Sequence, residues 1–335
     1  MRLEDTWKFT VELTVAPSGE GDALARHFPD HIVELVEAEV STRLVLRPPS
    51  SYSHYVDPLL PAGLDWWGAT PPEMIQLSVR RVGSALVSLS DAWTLYSWSE
   101  ALRRTPTSTV VILHVDEHDD LMSPLLTRGA AGGWRDPLTG IDIRLDDPGS
   151  VAGAIASGAI GKGSFIVPLV FSPLEVDFRH LRATADPRIP QRRHEMRRRW
   201  VTDSVIKGQR PALLPGTSAP DGRPPFVYHS TRHPDLWLED LPPGPVFLHV
   251  DCDFFNNRYN GRTDWATNPW GHDPPLVDVE QHVERLLCSL DSAGVWSRVS
   301  DVAVSLSAGF FPAEMWEPIA RLLLAGIAMR MENRL

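Results

Sequence analysis

The tripeptide His-Val-Asp occurs twice in this chain, each time at the end of a short apolar run. One run covers residues 110–115 and leads into Asp116, and the other covers 246–250 and leads into Asp251. Unbroken apolar runs of this length are typical of strands buried on both faces, as in a parallel sheet covered by helices. The chain is therefore predicted to be an α/β protein with a layered core.

Helical patterns separate the predicted strands along the chain. Strands are predicted at 7–15, 82–87, 110–115, 165–171, 246–250 and 302–306, and helices at 91–102, 148–158, 277–293 and 312–331. Ser90 or Asp91 is the expected N-cap of the helix at 91–102. Alternating strands and helices predict a mainly parallel central sheet with helices on both faces.

Length and composition exclude several classes of protein. The 335 residues can bury a large core, and two cysteines are too few for a disulfide framework or a four-thiolate zinc site. The net charge of −11 disfavours generic binding to nucleic acid or to anionic membranes and suits a cationic ligand. No signal peptide or bilayer-crossing run is recognisable, so the expected location is the cytoplasm.

Acidic residues and a histidine follow both His-Val-Asp runs. Asp116, His118 and Asp120 follow the first predicted strand, and Asp251 and Asp253 follow the second. Alternate side chains of an extended segment share a face, and ligands of open α/β sheets gather beyond the carboxyl ends of the strands. These five residues are predicted to converge on a divalent metal, and the excess of carboxylates favours manganese.

The neighbours of these candidate ligands are expected to have other roles. Glu117 and Asp119 should point away from the metal, and Cys252 should be a small core residue. His114 and His249 precede the ligands by two residues, so they are predicted to pack behind them. Either motif alone could be a loop of capping and solvated carboxylates. Burying so many carboxylates without a cation, however, would be strongly unfavourable.

The order Asp-x-His-x-Asp followed far downstream by Asp-x-Asp resembles the metal-binding pattern of the ureohydrolases, the arginase and agmatinase superfamily. That superfamily shares its fold with the histone deacetylases. Residues 115–122, 158–166 and 305–312 are similar to a branch that includes the peptide arginases, which convert arginine to ornithine in ribosomally made peptides. The resemblance implies a three-layer arginase/deacetylase-like fold, manganese, and an arginine-containing precursor peptide as partner.

One departure from the ureohydrolase pattern concerns the number of metal ions. The resemblance implies two ions and a further histidine ligand just upstream of the first motif. Residues 88–94 contain no histidine; Trp93 stands about where it would be, and Asp91 would substitute only if the loop were displaced. We therefore expect one position to be weak or empty. The position formed by Asp116, His118 and Asp253, which resembles the single-metal site of the deacetylases, should remain.

The resemblance also implies a path for the proton in guanidinium hydrolysis. Asp120 or Asp253 is expected to act as the catalytic proton acceptor, and His229 or His272 is a candidate shuttle.

Three further residues are predicted to contact the substrate. Glu314 follows the last strand, where it could meet a guanidinium as a catalytic and binding residue; an exposed acid at a helix N-terminus is the alternative. Asn256 follows the second metal motif, and Ser164 ends a glycine-rich turn that the resemblance places near the site.

The domain organisation follows from the extent of the resemblance. Residues 1–80 are predicted to form an N-terminal segment or subdomain for substrate recognition, and residues 81–335 an arginase-like metal-dependent hydrolase domain. Loops at 48–72 and 203–225 are expected to shape a cleft for a peptide. The arginine-rich stretch 192–199 is interpreted as a solvated helix face, and nucleic-acid binding is not expected. The sequence leaves the oligomeric state open.

Two other functions compete with hydrolysis of a peptide arginine. The first is a deacetylase-like metal-dependent amidohydrolase with one zinc or iron ion, which the missing upstream histidine favours. The second is a non-catalytic peptide-binding protein whose metal is structural.

Overall fold

A mixed nine-stranded sheet with helices on both faces forms the centre of this α/β protein in the computed structural model. The structure describes residues 9–12, 27–28, 31–37, 42–47, 56–129, 133–184, 191–203, 205–206, 208–217, 222–267 and 272–332. The ends of the strand predicted at 7–15, and parts of the loops predicted at 48–72 and 203–225, lie outside the described residues.

The described residues contain fifteen strands and seven α-helices, numbered here in chain order. The strands are β1 (Phe9–Glu12), β2 (Ile32–Glu37), β3 (Thr42–Arg47), β4 (Val79–Val82), β5 (Ala85–Ser88), β6 (Thr109–Val115), β7 (Thr127–Arg128), β8 (Trp134–Arg135), β9 (Asp142–Ile143), β10 (Glu175–Leu181), β11 (Gln191–Thr202), β12 (Gln209–Pro215), β13 (Phe226–Thr231), β14 (Val246–Asp251) and β15 (Val299–Ser305). The helices are α1 (Leu60–Gly68), α2 (Trp93–Arg104), α3 (Pro148–Ala156), α4 (Ile166–Phe171), α5 (Pro234–Leu238), α6 (Leu276–Ser292) and α7 (Trp316–Glu332).

The central sheet has the strand order β12-β11-β13-β10-β6-β14-β15-β5-β4. The six strands from β13 to β5 in this order run parallel to one another. Both edges are antiparallel, since β4 pairs with β5 and β11 pairs with β13 and β12. The α/β prediction is thus confirmed; the sheet is mixed, with five parallel and three antiparallel strand pairings.

A hairpin creates one of the antiparallel edges. The run at 82–87 is predicted as one strand, but the chain turns after Val82 and returns as β5. Gly83 makes this turn at φ 59°, a left-handed conformation that glycine adopts without a Cβ clash.

Helices cover both faces of the sheet and bury two apolar cores. Helices α1, α6 and α7 pack on one face, and α2, α3 and α4 pack on the other. Strand β4 crosses the boundary predicted at residue 80, and Leu60 and Leu64 of α1 share a core with Val304 of β15. The remaining strands form two small three-stranded sheets, β1-β3-β2 and β7-β8-β9. In the part of the chain that is described, no helix is both long and apolar enough for a membrane crossing.

Two predicted elements have the wrong type. The run at 165–171 is predicted as a strand but forms the buried helix α4. The prediction is wrong because an apolar run of this length fits a buried strand and a buried helix equally well. Pro168 fits there since the N–H groups of a first helical turn have no partner within the helix. The arginine-rich stretch is predicted as a helix face but lies in β11, where many of its side chains reach solvent.

Two central strands are missing from the sequence predictions, β10 and β13. Strand β10 carries charged residues that a buried strand usually excludes. Arg179 is buried there because its guanidinium pairs with Asp177 at 2.6 Å and donates to the carbonyls of Glu239 and Asp240. Partners distant in sequence therefore make this strand stable.

A buried carboxylate on β15 makes stability depend on pH. Asp301 is 2% exposed, and its Oδ1 lies 3.7 Å from Arg104 Nη2. Burial raises the pKa of Asp301 from 3.8 to about 6; Arg81 and Arg104 oppose this rise and Glu100 adds to it. Between these pH values the folded chain binds a proton that the unfolded chain releases. The contribution of this group to stability is complete below pH 3.8 and is lost as the pH rises through about 6.

We expect Asp301→Asn to match the wild type in stability at pH 4 and to exceed it by roughly 2 kcal/mol at pH 8, since an amide avoids the cost of a buried charge. Urea unfolding at both pH values measures this difference. Asp142→Asn, which changes an exposed carboxylate, is the control. A difference between Asp301→Asn and wild type that is equal at both pH values would contradict the prediction.

Candidate metal centre

All five predicted metal ligands converge at the carboxyl ends of β6 and β14. These strands are parallel neighbours, and their register sets Val115 beside Val250, so both acidic motifs leave the sheet at the same edge. The four aspartates are buried, and His118 is partly exposed. Four of the five line a cavity of about 350 Å³, beneath which Asp116 lies.

The backbone of both motifs differs from the extended conformation used to predict them. Asp120 has φ 51°, and a 3₁₀ turn begins directly after Asp251. The aspartates stabilise these turns themselves: Asp116 Oδ1 accepts from His118 N at 2.7 Å, and Asp251 Oδ1 accepts from Asp253 N at 3.1 Å. Tight turns, rather than the alternation of an extended strand, therefore bring the side chains together.

His118 has one ring nitrogen directed at the carboxylates. Its Nδ1 lies 3.0 Å from Asp253 Oδ2 and 3.5 Å from Asp116 Oδ1. Its Nε2 lies 3.0 Å from Asn260 Oδ1, which also accepts from Asn257 Nδ2. Because that amide oxygen only accepts, Nε2 carries the proton in neutral His118, and the Nδ1 lone pair faces the carboxylates. No sequence pattern pointed to Asn260.

The electrostatics of the cluster favour a bound cation. Burial lowers the pKa of His118, but Asp253 and Asp120 outweigh this and raise it to about 11. Burial and the neighbouring carboxylates raise the pKa values of Asp116, Asp120 and Asp251 well above the usual range. Without a metal, the cluster therefore retains protons.

Two carboxylate oxygens inside the cluster can also still accept a hydrogen bond or bind a cation. Asp116 Oδ2 and Asp120 Oδ2 are buried without a hydrogen-bond partner among the described residues. Ligand atoms of Asp116, His118 and Asp253 lie within 4.8 Å of one another, and so do those of Asp116, Asp120, His114 and His249, the last two being the histidines predicted to pack behind the ligands. These buried groups could hold a metal ion, and carboxylate with imidazole suits manganese, iron or zinc.

Two buried hydrogen bonds fix the backbone of the first motif from below. His180 on β10 donates through Nε2 to the carbonyl oxygen of Asp116 at 2.9 Å. Its Nδ1 must then accept, so the hydroxyl of Tyr228 donates to it at 2.7 Å. Both residues lie on strands that the sequence predictions missed, which explains why this support was not anticipated.

A second histidine pair supports the same loop. His114 Nε2 donates to the carbonyl oxygen of His118 at 3.1 Å, and His114 Nδ1 lies 2.9 Å from Nδ1 of His249. Carbonyl oxygens only accept, so His249 donates to His114. Burial lowers the pKa of His114 to about 3 and that of His249 well below its usual range, so both are neutral. Both are buried beside Asp116 and Asp120, and their role behind the ligands stays a prediction.

The region of the missing histidine differs from the prediction. Trp93 is buried in the core at the start of α2, and its Nε1 donates to the carbonyl of Gln76 at 2.8 Å. Asp91 instead lines the metal cavity, and its Oδ2 accepts from Gly163 N at 2.9 Å. Asp91 is not the N-cap of the helix, because Ala92 occupies that position.

The predicted substrate contacts lie outside the cavity wall formed by the described residues. Glu314 accepts a hydrogen bond from Arg258. Asn256 is buried and donates to Asp273 at 2.9 Å. Ser164 bonds within its own turn. The substrate roles of these three residues stay predictions.

The predicted proton shuttles also lie away from the cavity. His229 on β13 faces a different cavity, near the start of β6 and β10. The carbonyl of His272 accepts from Asn257 N at 2.8 Å, but its side chain is not among those lining the metal cavity. Their roles stay predictions as well.

The outer wall of the cavity contains residues that the sequence did not predict. The Phe310 ring lies 5.3 Å from the His118 ring, edge to face, and Lys162 Nζ donates to the carbonyl of Ala308 at 3.1 Å. Arg182 lies 3.8 Å from Glu117. Glu117 and Asp119, predicted to point away, belong to this wall too.

No protein-family model and no curated protein matches this chain.

We expect Mn²⁺ to raise the melting temperature of the wild type. A ligand that binds only the folded state adds about 2.7 kcal/mol at 100 times its Kd. Asp253→Asn removes the carboxylate that lies 3.0 Å from His118 Nδ1 and should lose most of this gain. Calorimetry with Mn²⁺, and after chelation with EDTA, measures the effect.

Asp142→Asn is the control for this experiment, because it removes the same charge from an exposed position far along the chain. It should keep the full gain from Mn²⁺. An equal gain in Asp253→Asn would show that the metal binds elsewhere.

Proposed function

We propose that this protein hydrolyses the guanidinium group of arginine side chains in a peptide substrate, giving ornithine and urea. The observation that carries the proposal is the convergence of Asp116, His118, Asp120, Asp251 and Asp253 at the ends of neighbouring parallel strands. Their order along the chain resembles that of the ureohydrolases. Parallel inner strands between two helical layers support the arginase/deacetylase-like fold as part of this proposal.

These five residues would hold manganese, with one or two ions. Such ions lower the pKa of a bound water and so supply a hydroxide nucleophile near neutral pH. His118 would bind the ion through Nδ1, because the N–H of its other ring nitrogen donates a hydrogen bond to Asn260. The His180 and His114 hydrogen bonds to the loop carbonyls would keep the ligands in place during turnover.

The cavity is suited to a single cationic side chain. Its volume of about 350 Å³ is at the small end for ligand sites, so one side chain would enter and the rest of a large substrate would stay outside. Glu117 and Asp119 lie in its wall outside the proposed ligand set and would attract a guanidinium, while Phe310 and Met122 offer apolar surface to methylene groups. Met122 is 56% exposed, which gives a peptide an apolar contact at the mouth.

Asp120 and Asp253 are the proposed proton carriers. Asp120 Oδ2 has no hydrogen-bond partner among the described residues, and Asp253 Oδ2 faces His118. One of them would take the proton of the nucleophile and return it to the departing amine when the carbon–nitrogen bond breaks. Water and the guanidinium would thereby give urea and an ornithine side chain.

A deacetylase-like amidohydrolase is the second candidate. Its support is the compact group of Asp116, His118 and Asp253, whose ligand atoms alone suffice for one ion. In that case the cavity would accept an acetylated lysine rather than a guanidinium.

The test is urea release from an arginine-containing peptide with Mn²⁺, together with the mass change from arginine to ornithine. We expect turnover by the wild type and by Asp142→Asn, and a loss of at least about 100-fold in Asp253→Asn, which lacks a ligand to the metal. A peptide with citrulline instead of arginine controls for the guanidinium.

The same preparation with Zn²⁺ and an acetyl-lysine peptide tests the alternative. Acetate without urea would replace the proposal with the deacetylase function. No product in either assay, with metal bound, would support a non-catalytic peptide-binding protein.

A further inference from the structure

We propose that Asp91 is a metal ligand and forms, with Asp116, Asp120 and Asp251, an all-oxygen position that differs in ion preference from the position at His118. This inference rests on the proposed metal centre but not on its hydrolytic activity.

Asp91 lies beside the cluster because of the sheet order. Strand β5 is parallel to β15, which is parallel to β14, so the chain leaves β5 at the edge where the metal motifs lie. Asp91 follows that exit, is 7% exposed and lines the cavity with Asp120 and Asp251.

One glycine connects Asp91 to the opposite side of the cluster. Gly163 N donates to Asp91 Oδ2 at 2.9 Å, and a Cβ placed on Gly163 would lie 3.5 Å from Asp120 Oδ1. The two carboxylates thus flank the same residue. Gly163 has φ 68°, so other residues would be strained there.

The carboxylates next to Asp91 have oxygen atoms that could bind an ion. Asp116 Oδ2 and Asp120 Oδ2 are buried and lack a hydrogen-bond partner among the described residues. Asp116 is 1% exposed and Asp120 5%, so water cannot readily solvate them. Asp120 lines the cavity and Asp116 is buried in the same motif, so both carboxylates offer the lone pairs that a cation needs from its ligands.

When all its carboxylates are ionised, the cluster carries more negative charge than one divalent ion compensates. The cluster contains five buried carboxylates: Asp91, Asp116, Asp120, Asp251 and Asp253. One divalent ion offsets two negative charges, and buried charges without compensation are strongly unfavourable. A second ion at the Asp91 side removes two more.

The two positions differ in ligand chemistry. Ligands that are carboxylates only suit Mg²⁺ and Mn²⁺, whereas an imidazole adds affinity for Zn²⁺ and Fe²⁺. The position at His118 should therefore retain Zn²⁺ when Mg²⁺ is in excess, and the position at Asp91 should accept Mg²⁺.

Metal titration of the full-length apoprotein tests this, with calorimetry for affinity and elemental analysis for stoichiometry. We expect two Mn²⁺ per wild-type chain and one per Asp91→Asn chain. The wild type loaded with one Zn²⁺ should bind one Mg²⁺, and Asp91→Asn should bind none. Asp91→His supplies an imidazole, so it should bind two Zn²⁺ and no Mg²⁺.

The melting temperature of the metal-free variants shows that they are folded. Removing one of several repelling carboxylates should raise the melting temperature of metal-free Asp91→Asn, while its gain from Mn²⁺ shrinks. Asp142→Asn should match the wild type in stoichiometry. Two Mn²⁺ bound by Asp91→Asn with unchanged affinity would overturn the proposal, and so would a wild type that binds one Mn²⁺.

The urea assay separates this inference from the proposed function. Two ions dependent on Asp91 in a protein that releases no urea would leave the inference standing and refute the hydrolase. Urea released by a chain with one ion would do the reverse.

Discussion

The most consequential interaction in this structure is the repulsion among its buried carboxylates. The ends of β6 and β14 hold Asp116, Asp120, Asp251 and Asp253 together, with Asp91 beside them, in a place where water screens little of their charge. Folding forces them together because burial of the apolar strands beneath is strongly favourable and fixes where the loops emerge. A cation would relieve the repulsion, so metal binding to this cluster would also stabilise the fold.

The histidines beneath the cluster show how a charged site is supported by neutral groups. His180, His114 and His249 lie side by side on three adjacent strands, and all are buried. His180 donates to the carbonyl of Asp116, His114 donates to that of His118, and His249 donates to His114. Neutral donors at that depth position the ligands without adding a charge that would compete with the metal.

The sequence predicts what local pattern determines. Strands β6 and β14 are continuous apolar runs, and the candidate ligands lie at or just after their ends, so the strands and the convergence of these side chains were both predictable. Strand β10 was not, because Arg179 is stable there only with Asp177 and distant carbonyls. Nor was Asn260, whose contact with His118 depends on how two loops meet. Such contacts depend on the tertiary fold and produce no periodic pattern in the sequence.

The parallel pairing of β6 with β14 has a consequence for how the protein is made. His114 and His249 are hydrogen-bonded although 135 residues separate them in the chain. Contacts at such separation form late, since a long loop must close before they are gained. A nascent chain that ends between Asp120 and Asp251 contains only three of the five candidate ligands. Capture of a metal by these residues would therefore follow synthesis of nearly the whole sheet, so an ion could consolidate the fold but could not nucleate it.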